Sequence, residues 1–370
     1  MSTSVKHHYV PEWYQKGFLD AGQTQLYVLD KSPKRYPLPK GGYSVAKDVF
    51  HKGPSAVFFE KHLYTVEAFG QSNDDIERFL FGEIDTKGAE AISAFLAEDH
   101  DKIHDMFVNV FEFMDALRLR TPKGLRWLEK VGKTKNQIEL MLFMQELRRM
   151  HCVMWMEGIL EIVSAKNSKH KFIFSDHPVT LYNPHIFPIG TAGRPTEDPK
   201  QEWIGTQTLF PFDKENLFVL TNLEGAEGVG PRAARKPRTN ARYFDNSIVR
   251  HDKTIRGREL SDDQVAAVNY IIKQRANKHI ASGTLEGLYP EKHLKNRMWP
   301  KLGRFLLPPR MDRFKSGGEI FMKMKDGSFV FQDQYGRRPA TAKEHAAKVA
   351  QAEAMERHFQ KLLVEHKAKQ

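Results

Sequence analysis

Hydrophobic periodicity changes once along this chain, and that change limits the fold more than any single motif. From residue 76 to residue 163, apolar side chains recur at about 100° per residue, the period of an amphipathic helix. Ile76, Leu80, Ile84, Ala91 and Phe95 share one face of a first helix, which Asn73, Asp74 and Asp75 open with charges suited to a helix N-terminus. Ile103, Phe107, Val110, Met114 and Leu117 mark a second helix, which Thr121-Pro122 ends because the residue before proline avoids helical backbone. A third is expected over residues 136–163, rich in Met and Leu and apolar nearly all round. From residue 171 the apolar residues come instead in short β-type runs: 171–174, 179–182, 206–210 and 217–221. Helices first and strands afterwards point to an α+β fold, with a mainly helical main domain and a small, mostly antiparallel sheet.

The flanking segments fit this frame. Residues 25–30 read as a strand, and residues 31–42 as a Pro/Gly loop. Residues 57–66 are either extended or a short helix. Ser261 and Gln264 form a capping box for a helix carrying Val265, Val268, Ile272 and Ile280. Asp326-Gly327 sits between residues 319–325 and 328–332 as a hairpin signal, and Thr341 with Glu344 opens a terminal amphipathic helix. The division expected is a main domain over 1–283, helical at 73–165 and strand-rich at 170–250. A basic C-terminal appendage over 284–370 would carry the hairpin and terminal helix.

Composition narrows the partners. The 370 residues suffice for two cores. Lys and Arg number 57 against 46 Asp and Glu, a net charge of +11, which favours contact with polyanions (nucleic acid, nucleotide phosphates or an acidic surface) or else marks a well-solvated basic surface. Cys152 is the single cysteine, so no internal disulfide and no multi-cysteine zinc site can form. In its apolar surroundings it reads as a buried structural thiol. A cytoplasmic protein is expected: no apolar signal core follows the start, no Gly follows Met1, and no apolar run suits a membrane span.

The densest cluster of chemically capable side chains is the opening stretch, His7-His8-Tyr9-Val10-Pro11, with Trp13, Tyr14 and Phe18. On an extended chain His7 and His8 point to opposite sides, so at most one faces a given site. An imidazole there serves as base, acid or ligand, or else anchors the N-terminus through hydrogen bonds. Glu77 falls on the apolar face of the first helix and Asp85 borders it. Together they could hold a divalent ion such as Mg²⁺ or Mn²⁺, or Glu77 could form a buried pair with Arg118. Arg120 ends the second helix and suits a phosphate clamp. Asp176 closes a strand, where sheets present catalytic groups, unless it only forms a turn before Pro178. His177 is expected at the surface. Arg232, Arg235, Lys236 and Arg238 crowd one loop, and Lys295 and Arg297 lie in a second basic segment interleaved with aromatics. Both could contact a nucleic-acid backbone. Phosphate loops, nucleophile elbows, His-Glu-x-x-His and kinase motifs are absent from the sequence.

The order of these motifs resembles the domain-of-unknown-function family 4238, mostly bacterial. The likeness is carried by His7-His8-Tyr9-Val10-Pro11, Lys61-His62-Leu63-Tyr64, Ile76-Glu77, Ile84-Asp85, Leu119-Arg120-Thr121-Pro122, Ser175-Asp176-His177-Pro178-Val179, Leu209-Phe210-Pro211-Phe212 and Asn269. It spans residues 5–283. Where the family typically has Glu, this chain has Asp85. The family implies no established activity. His-His-Tyr-Val-Pro is also similar to the first half of the HNH nuclease motif, but the downstream ligand is missing: the next asparagine is Asn73.

The function expected is phosphodiester hydrolysis, nuclease-like and metal-assisted, with a toxin or phage-defence role by analogy. His7 or His8, Tyr9, Glu77, Asp85, Arg120 and Asp176 would gather in one cleft. The runner-up is a non-catalytic module that binds nucleic acid or protein, with the terminal helix pairing two copies.

Overall fold

The structure, a computed structural model, describes residues 6–39, 41–61, 63, 66–68, 71–73, 81–238, 254–309, 319–333, 338–339 and 341–367. The chain starts with β1 (Lys6–His8) and α1 (Glu12–Lys16), then runs through β2 (Leu26–Asp30), β3 (Arg35–Pro37), β4 (Tyr43–Val45), β5 (Val49–Lys52), β6 (Phe59–Lys61), β7 (Val66–Ala68) and β8 (Gln71–Asn73). Helices α2 (Gly82–Ala97), α3 (His100–Leu119), α4 (Pro122–Gly132) and α5 (Gln137–Met156) follow. The strand-rich part holds β9 (Ile159–Ser164), β10 (Phe174–Ser175), β11 (Thr180–Tyr182), β12 (Gln207–Pro211), β13 (Asn216–Thr221) and β14 (Ile255–Glu259). Last come α6 (Asp262–Arg275), β15 (His279–Ser282), α7 (Trp299–Leu302), β16 (Glu319–Lys323), β17 (Phe329–Asp333) and α8 (Ala342–Lys367). The fold is α+β.

A five-stranded sheet in the order β11-β12-β13-β9-β14 divides two cores. All its pairs are antiparallel except β9 with β14. Because side chains alternate across a strand, neighbours on one strand enter different cores. Phe218 and Leu220 pack with α2, α3 and α5, whereas Leu217 and Val219 pack with α6. Both faces are covered, which explains why these strands are nearly continuous apolar runs. A four-stranded antiparallel sheet, β10-β15-β2-β5, repeats the device: Val28 and Ala281 join the first core, Leu29 and Ile280 the second.

The opening stretch is core rather than fringe. Tyr14 and Phe18 are buried, Tyr14 stacks on Phe210 with centroids 5.5 Å apart, and its hydroxyl donates to Pro211 O at 2.7 Å. Local signals set the helix boundaries. Asp99, Thr121 and Asn136 cap α3, α4 and α5, each side chain accepting a backbone N–H. Glu98 and Lys133 adopt left-handed backbone at the ends of α2 and α4. The Ser261–Gln264 capping box is present.

The structure departs from expectation at several points. The predicted helix over 136–163 is two elements: α5 ends at Met156, and β9 begins at Ile159. A Cβ on Gly158 between them would lie 3.0 Å from Thr221 O, so the chain turns where backbones approach closely. A strand buried on both faces has the all-round apolarity of a central helix, so periodicity cannot separate the two. Asn73 closes β8 rather than opening a helix, and residues 74–80 lie outside the described residues. Ile280 belongs to β15, not to the helix before it. α4 was not foreseen as a separate helix. The second core also runs past Gly283: Leu288, Trp299, Leu302 and Leu306 are buried in it, and Trp299 Nε1 donates to Asn183 O at 3.0 Å. The hairpin β16–β17 turns at Asp326-Gly327, and α8 lays Val349 and Ala352 on Phe329 and Phe331.

Candidate functional site

Three of the sequence motifs meet at one junction. The Arg120 guanidinium, 1% exposed, donates through Nε to Tyr9 O at 3.1 Å and pairs through Nη1 with Asp85 Oδ1 at 2.8 Å. It also lies 5.3 Å from the centroid of the Phe81 ring. Burial raises the Asp85 carboxyl above its ordinary value, and Arg120 opposes the rise. Asp85, 23% exposed, and the buried Arg120 therefore form a partly buried ion pair that ties the opening strand to the α2–α3 hairpin. Tyr9 is buried with its ring edge against Phe58, and burial plus the neighbouring Asp176 charge keep its phenol protonated. Glu77, the other proposed metal ligand, lies outside the described residues.

Asp176, 2% exposed, accepts three backbone N–H groups: Asn277 at 2.9 Å, Lys278 at 2.7 Å and His279 at 2.9 Å. Burial raises its pKa and the three donors counter that. The carboxylate thereby receives the turn between α6 and β15 and pins it to the end of β10. His177 is buried, not at the surface as expected. Its Nδ1 sits 2.7 Å from Thr121 Oγ1, and its Nε2 is 3.6 Å from Asp198 Oδ2. Burial, with Lys123 second, pushes the imidazole down to about 3, so it is neutral near pH 7. Thr121 is fully buried as the cap of α4 and is not placed to act as a nucleophile.

Sequence reasoning missed the lysines here. Lys123 Nζ reaches Asp198 at 2.7 Å and Arg275 O at 2.7 Å; Lys31 Nζ reaches Ala276 O at 2.9 Å. Both cap the carbonyl end of α6, where the helix dipole favours a cation. Burial lowers Lys31 to about 8. Arg275 donates to Glu197 O and Ile186 O. The junction is a network of paired ionic groups that joins α4, α6 and the opening strand.

The two opening histidines face apart, as an extended chain requires. His7 is fully buried, opposite Glu60 in the β1–β6 pair. His8 is partly exposed, with Nε2 3.7 Å from Glu12 and its ring against Phe59. The proposed nucleic-acid contacts divide. Arg232, Arg235 and Lys236 are exposed, Arg235 donating to His185 O. Arg238 is buried, pairing with Glu157 and donating to Met154 O, so it holds the core together and faces no solvent. Lys295 pairs with Asp263 at 3.2 Å and Arg297 donates to Glu291 O at 2.7 Å, both at the surface.

A second site is built differently. His170, Glu286 and His293 bring one ligand-type atom each within 4.8 Å of one another, the one such His/Cys/Asp/Glu group found among the described residues. They line a hollow of about 80 Å³ together with Lys169, Lys171, Lys214 and Asn269. The His170 and His293 rings are 4.4 Å apart, and His293 Nε2 is 3.2 Å from Glu286 Oε1. Burial, then the neighbouring His293, lowers the His170 pKa. No local motif announced this group, because its members come from loops far apart in number.

Residues 6–154 match a family model described as a protein of unknown function (DUF4238). The likeness thus covers the chain from β1 through most of α5, and the motifs after residue 154 lie outside the match. No curated protein matches the chain, and neither does any solved structure. Among the described residues, no helix is long and apolar enough to cross a membrane.

Proposed function

We propose that the protein is a nuclease-like hydrolase of phosphodiesters, in nucleic acid or a nucleotide, and that it works from the hollow at His170, Glu286 and His293. The observation that carries this reading is that two imidazoles and a carboxylate converge in a hollow lined by Lys169, Lys171 and Lys214. Imidazoles at neutral pH move protons to and from water and leaving oxygens. The three lysines, each also paired with a carboxylate (Asp262, Glu215 and Asp20), add positive charge at the hollow's rim that favours a phosphate, in keeping with the net charge of +11. In this reading the roles first sought for His8 and Asp85 fall to His170, His293 and Glu286. Arg120 and Asp176 support the frame instead. A toxin-like or phage-defence role would suit such an activity.

The test is cleavage of RNA and DNA oligonucleotides by the full chain, with and without Mg²⁺, Mn²⁺ or Zn²⁺. His293→Ala is expected to slow cleavage by roughly 100-fold or more, the usual worth of a general acid or base. If the unaltered protein cleaves neither polymer with any of these ions, the reading fails.

The second reading, a non-catalytic binding module, is favoured by the C-terminal hairpin, where Phe321, Met322 and Met324 are 42%, 53% and 47% exposed. Exposed apolar side chains on one small element suit a protein partner or a second copy of the chain. Salt-sensitive binding of nucleic acid without cleavage would favour a binding module of the other kind.

A further inference from the structure

We infer that His170, His293 and Glu286 form a binding site for one first-row transition ion, with Zn²⁺ the best match. The inference builds on the reading of this hollow as the working site, yet its geometric argument holds for a protein that hydrolyses nothing.

The donor set is the first reason. Two imidazoles and one carboxylate are borderline donors that suit Zn²⁺ and its neighbours better than Mg²⁺ or Ca²⁺, which prefer oxygen alone. Three protein ligands leave a fourth tetrahedral position for water, as in hydrolytic zinc sites. The ligand-type atoms already lie within 4.8 Å of one another, so small side-chain rotations reach bonding distance.

An unsatisfied atom is the second. His293 Nε2 is shielded from solvent and lacks a hydrogen-bond partner, its approach to Glu286 having the distance but not the geometry of a bond. Leaving a buried acceptor or donor unmet is costly, and a metal ion is the partner that an imidazole and a carboxylate can share.

Rigid support is the third. Glu286 and His293 flank two successive 3₁₀ turns, Glu286–Leu288 and Pro290–Lys292. Leu288 and Pro290 are buried, and Lys273 Nζ donates to Leu288 O at 2.7 Å. Gly287 permits the close approach, since a Cβ there would lie 2.2 Å from Ser282 Oγ. On the other side, His170 N donates to Ser168 Oγ at 3.1 Å. That hydroxyl in turn donates to Asp262 Oδ1 at 2.8 Å, at the start of α6. Both loops are thus fixed to α6, and precise ligand placement needs such support.

The experiment is titration of the chelator-stripped full chain with Zn²⁺, and with Co²⁺ as a visible probe. One equivalent is expected to bind tightly, with a Co²⁺ band of tetrahedral intensity. The sequence holds 16 histidines, so the His170→Ala/His293→Ala double variant sets the background, and it is expected to lose affinity by roughly 100-fold or more. Glu286→Gln, at a side chain 63% exposed, tests the site without threatening the fold and should weaken binding by roughly tenfold. Circular dichroism of the metal-free variants should match the parent. Unchanged stoichiometry and affinity in the double variant would overturn the inference, as would the absence of any one-equivalent phase in the parent. Metal binding without cleavage would keep this site and remove only the hydrolytic reading.

Discussion

The junction around Arg120 and Asp176 and the hollow around His170 and His293 are both rich in ionisable groups, yet they spend them differently. At the junction charges meet opposite charges, carbonyl oxygens or a row of backbone donors: Arg120 has Asp85 and Tyr9 O, Asp176 has three N–H groups, and Lys123 has Asp198 and Arg275 O. In the hollow, two imidazoles face each other and a carboxylate, and one shielded nitrogen is unmet. A densely paired network holds elements together, because most of its members' capacity is taken up, although Asp85 Oδ1 and Arg275 Nε are buried there without a hydrogen bond. Convergent lone pairs without donors hold little together and can receive an ion. Convergence of motif residues is therefore not sufficient evidence of a reactive site; an unmet nitrogen with two further ligand-type atoms within 4.8 Å, as in the hollow, is the better guide.

Removing one partner at the junction should have the largest effect. Arg120→Ala leaves Asp85 and Tyr9 O without their donor, and should cost about 3–5 kcal/mol in denaturant unfolding. Next, Asp176→Ala strands three backbone N–H groups at residues 277–279, a loss of about 3 kcal/mol. If Asp176→Ala kept full stability while abolishing cleavage, the aspartate would be catalytic and the contrast would break.

His177 makes a smaller, pH-dependent contribution. Its folded pKa is about 3 against 6.5 unperturbed, so below pH 6.5 the unfolded chain binds a proton that the folded one does not. This contribution to stability is complete above about pH 6.5 and declines as pH falls toward 3, at no more than about 1.4 kcal/mol per pH unit. His177→Asn should flatten that slope in melts run from pH 7 to pH 4. Smallest of all, His293→Ala should change metal-free stability by only about 0.5 kcal/mol. A loss comparable with that of Arg120→Ala would mean that the hollow, too, is structural.

Much of the frame was legible in sequence because its signals are local. Ser261 and Thr341 mark helix starts by capping chemistry, and Asp326-Gly327 marks its hairpin by turn chemistry. The α3 face from Ile103 to Leu117 was visible through its period. The β9 strand was not, because burial on both faces erases the alternation that distinguishes strand from helix. The site was less legible still. Arg120 was read as a phosphate clamp and Asp176 as a catalytic group, but a buried charge looks the same in sequence whether it binds a substrate or a neighbour. His177, expected at the surface, is enclosed by Thr121 and Asp198.

By itself the sequence determined the class of the fold, the helix starts near residues 136, 261 and 341, the chemistry available at each loop and the net positive charge that any partner meets. Those properties depend on a residue and its near neighbours, within a turn or two of chain. Only the tertiary structure decided which charges are spent on one another and which lone pairs remain. Pairings such as Arg120 with Asp85, or His170 with His293, join distant segments through packing of the two cores, and no periodicity along the chain encodes that distance.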